Sequence, residues 1–285
     1  AIIQIQIQPY IEGVCLRKNQ LILGDCLDEL SKIFDKSIDL VLTDPPYGTT
    51  SCKWDSIIPF KPMWIELKRI IKDNGCIVLF GTEPFSSFLR TSNINWFKYD
   101  WIWEKQKASN FMSAKYSPLK YHEIISVFSK NTHKYNPQRY KVLELDDVLK
   151  LNKKQIKHLF ENKEYDRYGK VDKRKTVNDP TTNKDHIGNK LKRIRNPDNG
   201  YRNPKSVLKI NKDINTNIHP TQKPVSLLEY LIKTYTKEND TVLDFTMGSG
   251  STGIACKNLN RHFIGIEKDE KYFDIAKQRI EGVLI

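Results

Sequence analysis

The chain has 285 residues, 39% of them hydrophobic, which is enough for one large domain or two modest domains with a true core. It contains no run of about 18 apolar residues and no signal-peptide pattern, so a membrane span and a secretory leader are not expected. Its five cysteines are odd in number and lack CxxC spacing, so a disulfide framework and a metal site are not expected either. The formal charge of +13 lies almost entirely in residues 130–218, which contain 23 Lys and Arg and 11 Asp and Glu. The composition as a whole predicts a cytoplasmic protein.

Apolar strands and amphipathic helices alternate along most of the chain. Strands are predicted at 21–24, 38–43, 76–81, 97–104, 122–128, 241–245 and 262–266. Helices are predicted after Asp25, at 60–75, around 83–92, at 225–237, from Ser251, and in a last segment that ends near 281. This alternation predicts an α/β fold, with a mostly parallel seven-stranded sheet that carries helices on both faces.

Two of these elements carry more detailed predictions. The apolar spacing of 60–75 predicts a helix that closes at Gly75. The alternating segment FKYDWIWEK predicts four aromatic side chains on one face of a strand: Phe97, Tyr99, Trp101 and Trp103.

The strand at 38–43 runs into the sequence TDPPYG, Thr43 to Gly48. Proline fixes φ and removes a backbone donor, so Pro45 and Pro46 make a stiff loop at the strand end. That loop holds the carboxylate of Asp44 and the ring of Tyr47 close together. The combination indicates a rigid site that offers a hydrogen-bond acceptor and a flat apolar face.

Residues 130–218 interrupt the alternation. They are polar, rich in Asn, Lys and Pro, and contain one plausible helix at about 145–162. Clustered Lys and Arg neutralise phosphates, so the segment is interpreted as a polyanion-binding insert that is partly flexible until it meets its partner. The alternative is a solvated composition with no binding role.

A second motif is the sequence TVLDFTMGSGSTG at 241–253, which is a strand, a glycine turn and a helix. Gly248 and Gly250 allow a tight turn and a close approach to a ligand. The next strand ends at Glu267, 23 residues after Asp244, a spacing at which a carboxylate can accept both hydroxyls of a ribose. Together with Gly253 the glycines also fit GxGxxG, so the motif alone leaves NAD open.

The DPPY motif together with a glycine turn that ends a strand resembles the amino-methyltransferases of DNA, which use S-adenosylmethionine to methylate adenine N6 or cytosine N4. The motif order is similar to that of the circularly permuted beta group, and HPTQKP at 219–224 is also characteristic of that group. The resemblance covers roughly 20–130 and 218–282. It implies a Rossmann-like class I methyltransferase fold, in which 20–130 and 218–285 form two halves of a catalytic domain around an inserted target-recognition region at 131–217.

The resemblance also implies the roles of particular residues. The catalytic loop would be Asp44, Pro45, Pro46 and Tyr47, where Asp44 and the Pro45 carbonyl accept the target amine and Tyr47 stacks on a base flipped out of the duplex. The cofactor set would be Asp25, Cys26, His219, Thr221, Lys223, Asp244, Phe245, Thr246, Gly248, Ser249, Gly250, Ser251 and Glu267. Within it, Glu267 would hold the ribose, Lys223 would bind the cofactor carboxylate, and Asp25 would lie near the adenine amino group, unless it only caps a helix. Many relatives carry Pro-Phe after the strand Asp, whereas this chain has Phe245 and Thr246, which puts the contact of Phe245 in doubt.

Around the target base, the loop 105–123 is the expected covering segment, with Phe111 and Tyr116 as DNA contacts or as core residues. The predicted DNA-binding residues of the insert are Lys173, Arg174, Lys192, Arg193, Arg195 and Arg202. Asp at the first motif position favours adenine N6, with cytosine N4 and an RNA substrate as alternatives. A homodimer and a cognate restriction endonuclease are possible partners by analogy with the group.

Overall fold

A computed structural model describes residues 20–49, 55–141, 201–211 and 222–282. The chain divides into two compact units, one made of residues 1–136 with 205–285 and the other of residues 137–204. The predicted helix at about 145–162 lies outside the described residues. Within the part of the chain that the structure describes, no helix is both long and apolar enough to cross a bilayer.

The first unit contains most of the regular structure. Its strands are β1 (Gln20–Leu23), β2 (Ile38–Thr43), β3 (Ile71–Gly81), β4 (Phe97–Ser109), β5 (Lys120–Phe128), β8 (Val207–Lys209), β9 (Thr241–Asp244) and β10 (His262–Glu267). Its helices are α1 (Cys26–Leu30), α2 (Phe60–Ile70), α3 (Phe85–Ser92), α4 (Val225–Tyr235), α5 (Ser251–Asn258) and α6 (Glu270–Glu281). In the second unit, β6 (Tyr140–Lys141) and β7 (Tyr201–Arg202) form a short antiparallel pair.

Within the described part of the first unit, eight strands form one mixed sheet in the order β1-β10-β9-β2-β3-β5-β4-β8. The five strands from β1 to β3 in this order are parallel, whereas β5 runs antiparallel to both of its neighbours. The predicted α/β fold with a mostly parallel sheet is confirmed. The sheet has one strand more than predicted, because Val207–Lys209, within the range assigned to the insert, pairs in parallel with β4.

Helices cover both faces of the sheet. On one face, buried residues of α1, α2 and α3 pack with Val41, Leu79 and Leu243. On the other, α4, α5 and α6 pack with Leu42 and Val78 and with further core residues of the sheet. A buried parallel strand needs apolar side chains on both sides, which explains the continuous apolar run of β2.

The structure corrects two of the detailed sequence predictions. Helix α2 ends at Ile70, because Ile71 is already extended and pairs with Ile38 of β2. Gly75 therefore lies in a strand, where a Cβ atom would stand 2.7 Å from the carbonyl oxygen of Asp39, a distance that only glycine permits.

The second correction concerns the aromatic strand β4. Its pairing with β5 shifts register between Phe97 and Tyr99, and such a bulge moves the side chains before it to the opposite face. Phe97 accordingly packs against the α1–α3 face, while Trp101 and Trp103 are buried on the α4–α6 face.

Because β1, β10, β9 and β2 are parallel neighbours, their carboxyl ends meet at one edge of the sheet. Ligands of open α/β sheets bind in the crevice outside that edge. The ends of these strands and the segments that follow them contain Asp25, Asp44, the glycine turn after Asp244, and Glu267.

Candidate active site

A single cavity of about 1500 Å³ opens at this edge of the sheet. Residues from both sequence motifs line it, including Asp44 to Tyr47 on one side and Gly248, Ser249 and Glu267 on the other. Typical small-molecule sites occupy about 300–1,000 Å³. The cavity therefore has room for two ligands that meet each other.

The loop after β2 is held by a carboxylate that the sequence did not reveal. The buried side chain of Asp55 accepts hydrogen bonds from the backbone N–H groups of Tyr47, Gly48 and Thr49 at 2.8, 2.9 and 2.9 Å. Gly48 has a φ of 67°, which suits glycine and lets three successive donors converge on one side chain. The only sequence signal was an acidic residue soon after a proline-stiffened loop.

Both oxygens of the Asp44 carboxylate have partners. The Tyr47 hydroxyl donates to Oδ1 and the Lys223 ammonium donates to Oδ2. Lys223 also lies 3.3 Å from Glu123 Oε2, and the other oxygen of Glu123 lies 3.5 Å from Lys105 Nζ. Burial raises the pKa of Asp44, whereas the neighbouring Lys223 ammonium acts in the opposite direction.

Lys223, which was predicted to bind the cofactor carboxylate, has two partners within the protein. Its side chain is 8% exposed, lines the cavity and ion-pairs with the carboxylates of Asp44 and Glu123. Burial disfavours the charge on Lys223, but the two carboxylates raise its pKa. Glu123 lies in β5, because the segment predicted as the loop 105–123 is strand up to Ser109 and again from Lys120, and the sequence had assigned it no role.

Asp244 lines the cavity and also joins the two motifs. Its buried carboxylate accepts hydrogen bonds from Thr43 Oγ1 at 2.7 Å and Thr252 Oγ1 at 2.6 Å. The Thr246 hydroxyl donates to the backbone oxygen of Asp44 at 3.1 Å. These bonds tie the end of β2 to the end of β9, so Asp244 and Thr246 hold the two loops at a fixed separation.

The glycine turn and Glu267 form the other half of the cavity. Glu267 accepts the Gly248 N–H and the Asp269 N–H, each at 2.8 Å, and burial raises the pKa of its carboxyl. A Cβ atom on Gly248 would meet nothing within 4 Å, so the backbone there is open to a ligand. The buried hydroxyl of Ser251 lines the cavity and has no hydrogen-bond partner among the described residues.

Gly250 and Ser249 contact α6 and so hold this turn in place. A Cβ atom on Gly250 would lie 2.9 Å from the Cβ of Ala276, so this glycine serves the close packing of α6, and it does not line the cavity. The Arg279 guanidinium, which the sequence did not single out, donates to the carbonyl and the hydroxyl of Ser249.

The remaining predicted cofactor residues have mixed outcomes. Asp25 lines the cavity and also caps α1, accepting the Leu27 N–H at 3.0 Å, and its ion pair with Lys268 lowers its pKa. Cys26 lines the cavity, and burial raises the pKa of its thiol to about 11. Phe245 is 1% exposed and belongs mainly to the core.

Several predicted residues cannot be placed in this site. His219, Thr221, Lys173, Arg174, Lys192, Arg193 and Arg195 lie outside the described residues. Arg202 lies in the second unit, where its side chain is exposed.

Comparison with known proteins agrees with this arrangement. Residues 38–278 match the N6/N4 family of DNA methylases, so the match spans both motifs. The chain is 28% identical over 295 residues to the type II methyltransferase M.HinfI of Haemophilus influenzae, covering 93% of this chain and 69% of that protein. The solved M1.HpyAVI–SAM complex superposes with a TM-score of 0.55 at 24% identity over 91% of this chain and 98% of the other. The PvuII DNA methyltransferase (cytosine-N4-specific) gives a TM-score of 0.59 at 16% identity over 92% and 86%.

Asp244 gives rise to a testable pH dependence of stability. Burial raises the pKa of its carboxyl to about 6, above the value of about 3.9 for an unfolded chain. The ionised form therefore lowers the free energy of unfolding above about pH 6, and this cost disappears as the pH falls to about 4. The free energy of unfolding of Asp244→Asn, relative to that of wild type, should therefore be about 2.4 kcal/mol higher at about pH 8 than at about pH 4.

Urea unfolding of both proteins at the two pH values measures this difference. The exposed Asp274→Asn on α6 is the control for removal of one carboxylate. A difference for Asp244→Asn no larger than that of the control would show that Asp244 is not a costly buried charge.

Proposed function

The chain belongs to the N6/N4 DNA methylase family, and we propose that this protein methylates adenine N6 at a specific sequence of double-stranded DNA. It is a DNA amino-methyltransferase of the beta group, and S-adenosylmethionine is its methyl donor. One observation carries the proposal: the Asp44 carboxylate and the glycine turn with Glu267 line one cavity, which brings an amine-binding group and a nucleoside-binding group together.

The loop after β2 is suited to activate an exocyclic amine. The lone pair of such an amine is delocalised into the base, so the amine is a weak nucleophile. Acceptors at Asp44 and at the Pro45 carbonyl would hold its two N–H bonds and favour a pyramidal nitrogen, while Tyr47 stacks on the base. Asp55 and Thr246 keep these groups in place, and the rate would come from positioning and electrostatics during direct in-line transfer.

The other half of the cavity fits the cofactor. S-adenosylmethionine supplies an electrophilic methyl group when it is bound. Glu267 would accept the ribose hydroxyls, since each of its oxygens holds one backbone N–H and has a further lone pair. The open face of Gly248 would take the methionine end, and Ser251 offers a buried hydroxyl that lacks a partner within the described residues.

The assignment to adenine is supported by Asp44 at the first position of the motif, where cytosine-N4 enzymes more often carry Ser. Cytosine N4 is the second candidate, because the fold is shared with the PvuII enzyme, which is cytosine-N4-specific. The likeness to type II methyltransferases supports a restriction–modification context. A cognate endonuclease and a homodimer stay predictions.

The turn between β4 and β5 supports a role in contacting DNA. Its tip carries Phe111, Met112 and Tyr116, which are 65%, 99% and 89% exposed. Residues 105–121 contain four lysines and no acidic residue, and Lys105 to Asn110 line the cavity. An exposed apolar tip with positive flanks at the mouth of the cavity suits a duplex from which a base has been extruded.

The proposed chemistry is tested by mapping methyl groups, by single-molecule sequencing, in DNA from a host that expresses the protein. Wild type should yield N6-methyladenine at one recurring sequence, and N4-methylcytosine would select the alternative. Asp44→Ala should abolish methylation while purified protein still binds labelled cofactor. Transfer by Asp44→Ala near the wild-type rate would refute the assigned mechanism.

The tip of the turn is tested with a rescue substrate. Replacing Phe111, Met112 and Tyr116 by Ala should slow single-turnover methylation of a matched duplex by about tenfold, because a stacked side chain is worth about 1–3 kcal/mol. A duplex with a mismatch at the target base should restore the rate toward wild type, because a mismatched base costs less free energy to unpair and extrude. An equal loss on both substrates would exclude a role in extruding the base.

The basic segment is tested by the salt dependence of DNA binding. The logarithm of the affinity should fall with the logarithm of the salt concentration, with a slope of about −0.9 per neutralised phosphate. Fluorescence anisotropy measures this slope. Replacement of Lys173, Arg174, Lys192, Arg193, Arg195 and Arg202 by Gln should flatten it, and a flat response in wild type would exclude the polyanion role of residues 130–218.

A further inference from the structure

Asp44 stands at the end of a row of four alternating charges. The row runs from Lys105 through Glu123 and Lys223 to Asp44, with separations of 3.5 and 3.3 Å for the first two contacts and a direct hydrogen bond for the third. Its members come from β4, from β5, from the segment before α4 and from the loop after β2. All four side chains line the cavity.

The row is poorly explained as a stabilising device. The side chains of Lys105, Glu123 and Lys223 are 12%, 14% and 8% exposed. Removing such charges from water costs several kcal/mol per ion, and the attraction between them often does no more than offset that cost. Apolar residues would fill the same space at least as well, so the charges are better explained by an effect on Asp44.

We propose that Lys223 and Glu123 are positioning residues that act through Asp44 and set the charge and orientation of its carboxylate for the target amine. The proposal rests on the proposed function, because it assigns Asp44 the task of accepting an N–H bond. Lys223 on Oδ2 and the Tyr47 hydroxyl on Oδ1 fix the plane of the carboxylate, and each oxygen keeps a lone pair for the amine.

Lys223 is the one cation in direct contact with Asp44 among the described residues. The other groups near the carboxylate are Glu123, Asp244 and the Tyr47 hydroxyl, with Asp55 beyond Tyr47. Burial raises the pKa of the Tyr47 hydroxyl, so it stays a donor. Without Lys223, the partly buried Asp44 would lie among acidic groups and would bind a proton more readily, and a protonated carboxyl is a poorer acceptor for an amine N–H.

Glu123 has the opposite effect on Asp44. Its negative charge raises the pKa of Asp44 directly, and it also forms an ion pair with the Lys223 ammonium. Without Glu123, Lys223 would pair with Asp44 alone, and the Asp44 carboxylate would stay ionised to lower pH. Lys223 and Glu123 therefore have opposite effects on Asp44. Lys223 prevents the carboxylate from being lost as an acceptor by protonation, and Glu123 prevents Lys223 from neutralising it too strongly.

The test is the pH dependence of single-turnover methylation at saturating DNA and cofactor, in wild type, Lys223→Gln and Glu123→Gln. Lys223→Gln should move the acidic limb of the rate profile to higher pH by about one unit, and Glu123→Gln should move it to lower pH. Lys223→Arg should restore a limb close to that of wild type. Lys98→Gln and Glu238→Gln are matched controls, because they make the same charge changes at exposed positions outside the cavity.

A purely structural role for the two residues would lower the rate without moving the limbs in opposite directions, and that result would overturn the proposal. Binding of labelled cofactor reports whether each variant is folded. If Lys223→Gln does not fold, Glu123→Gln decides, since an unchanged limb or a shift to higher pH contradicts the proposal. Absence of methyl transfer by wild type would refute the proposed function instead, so the two failures are distinguishable.

Discussion

The hydrogen bond between the Thr43 hydroxyl and the buried carboxylate of Asp244 is the constraint on which the site depends. It joins β2 and β9 where both strands end, and these two strands are neighbours in the sheet although about 200 residues separate them in the chain. Thr252 and Thr246 extend the same link into α5 and into the loop that holds Asp44. The loop after β2 and the glycine turn after β9 are therefore fixed to one another by side chains, in addition to the ladder of the sheet.

The site contains several largely buried charges, and a carboxylate in such a position differs from one in water. A carboxylate in water is hydrated and free to rotate, whereas the Asp44 side chain is 23% exposed and is held by two donors. Burial raises the pKa of Asp44, the Lys223 ammonium opposes that rise, and Lys223 is itself paired with a second carboxylate, Glu123. Such an arrangement trades stability for preorganisation, which is the expected pattern at a site that must stabilise developing charge.

The sequence allowed prediction of the strands that carry the site and of the two motifs, because buried parallel strands and glycine turns have strong local signals. What it could not show were contacts between distant segments. The pairing of Lys223 with Asp44 and Glu123, and the support of the Tyr47 loop by Asp55, depend on packing that no spacing rule records. The bulge between Phe97 and Tyr99 and the early end of α2 at Ile70 were missed for the same reason, since strand pairing overrode local periodicity.

The short strand β8 has a consequence for how such a protein can diversify. The chain leaves the first unit near Asn136, whose N–H donates to the Thr234 carbonyl, and returns at Ser206, whose carbonyl accepts the Ile102 N–H. Backbone on either side of residues 137–204 is thus anchored to the sheet and to α4 by bonds that involve no side chain. A segment of different length or sequence can therefore join these two anchors while the strands and loops that line the cavity keep their backbone hydrogen bonds.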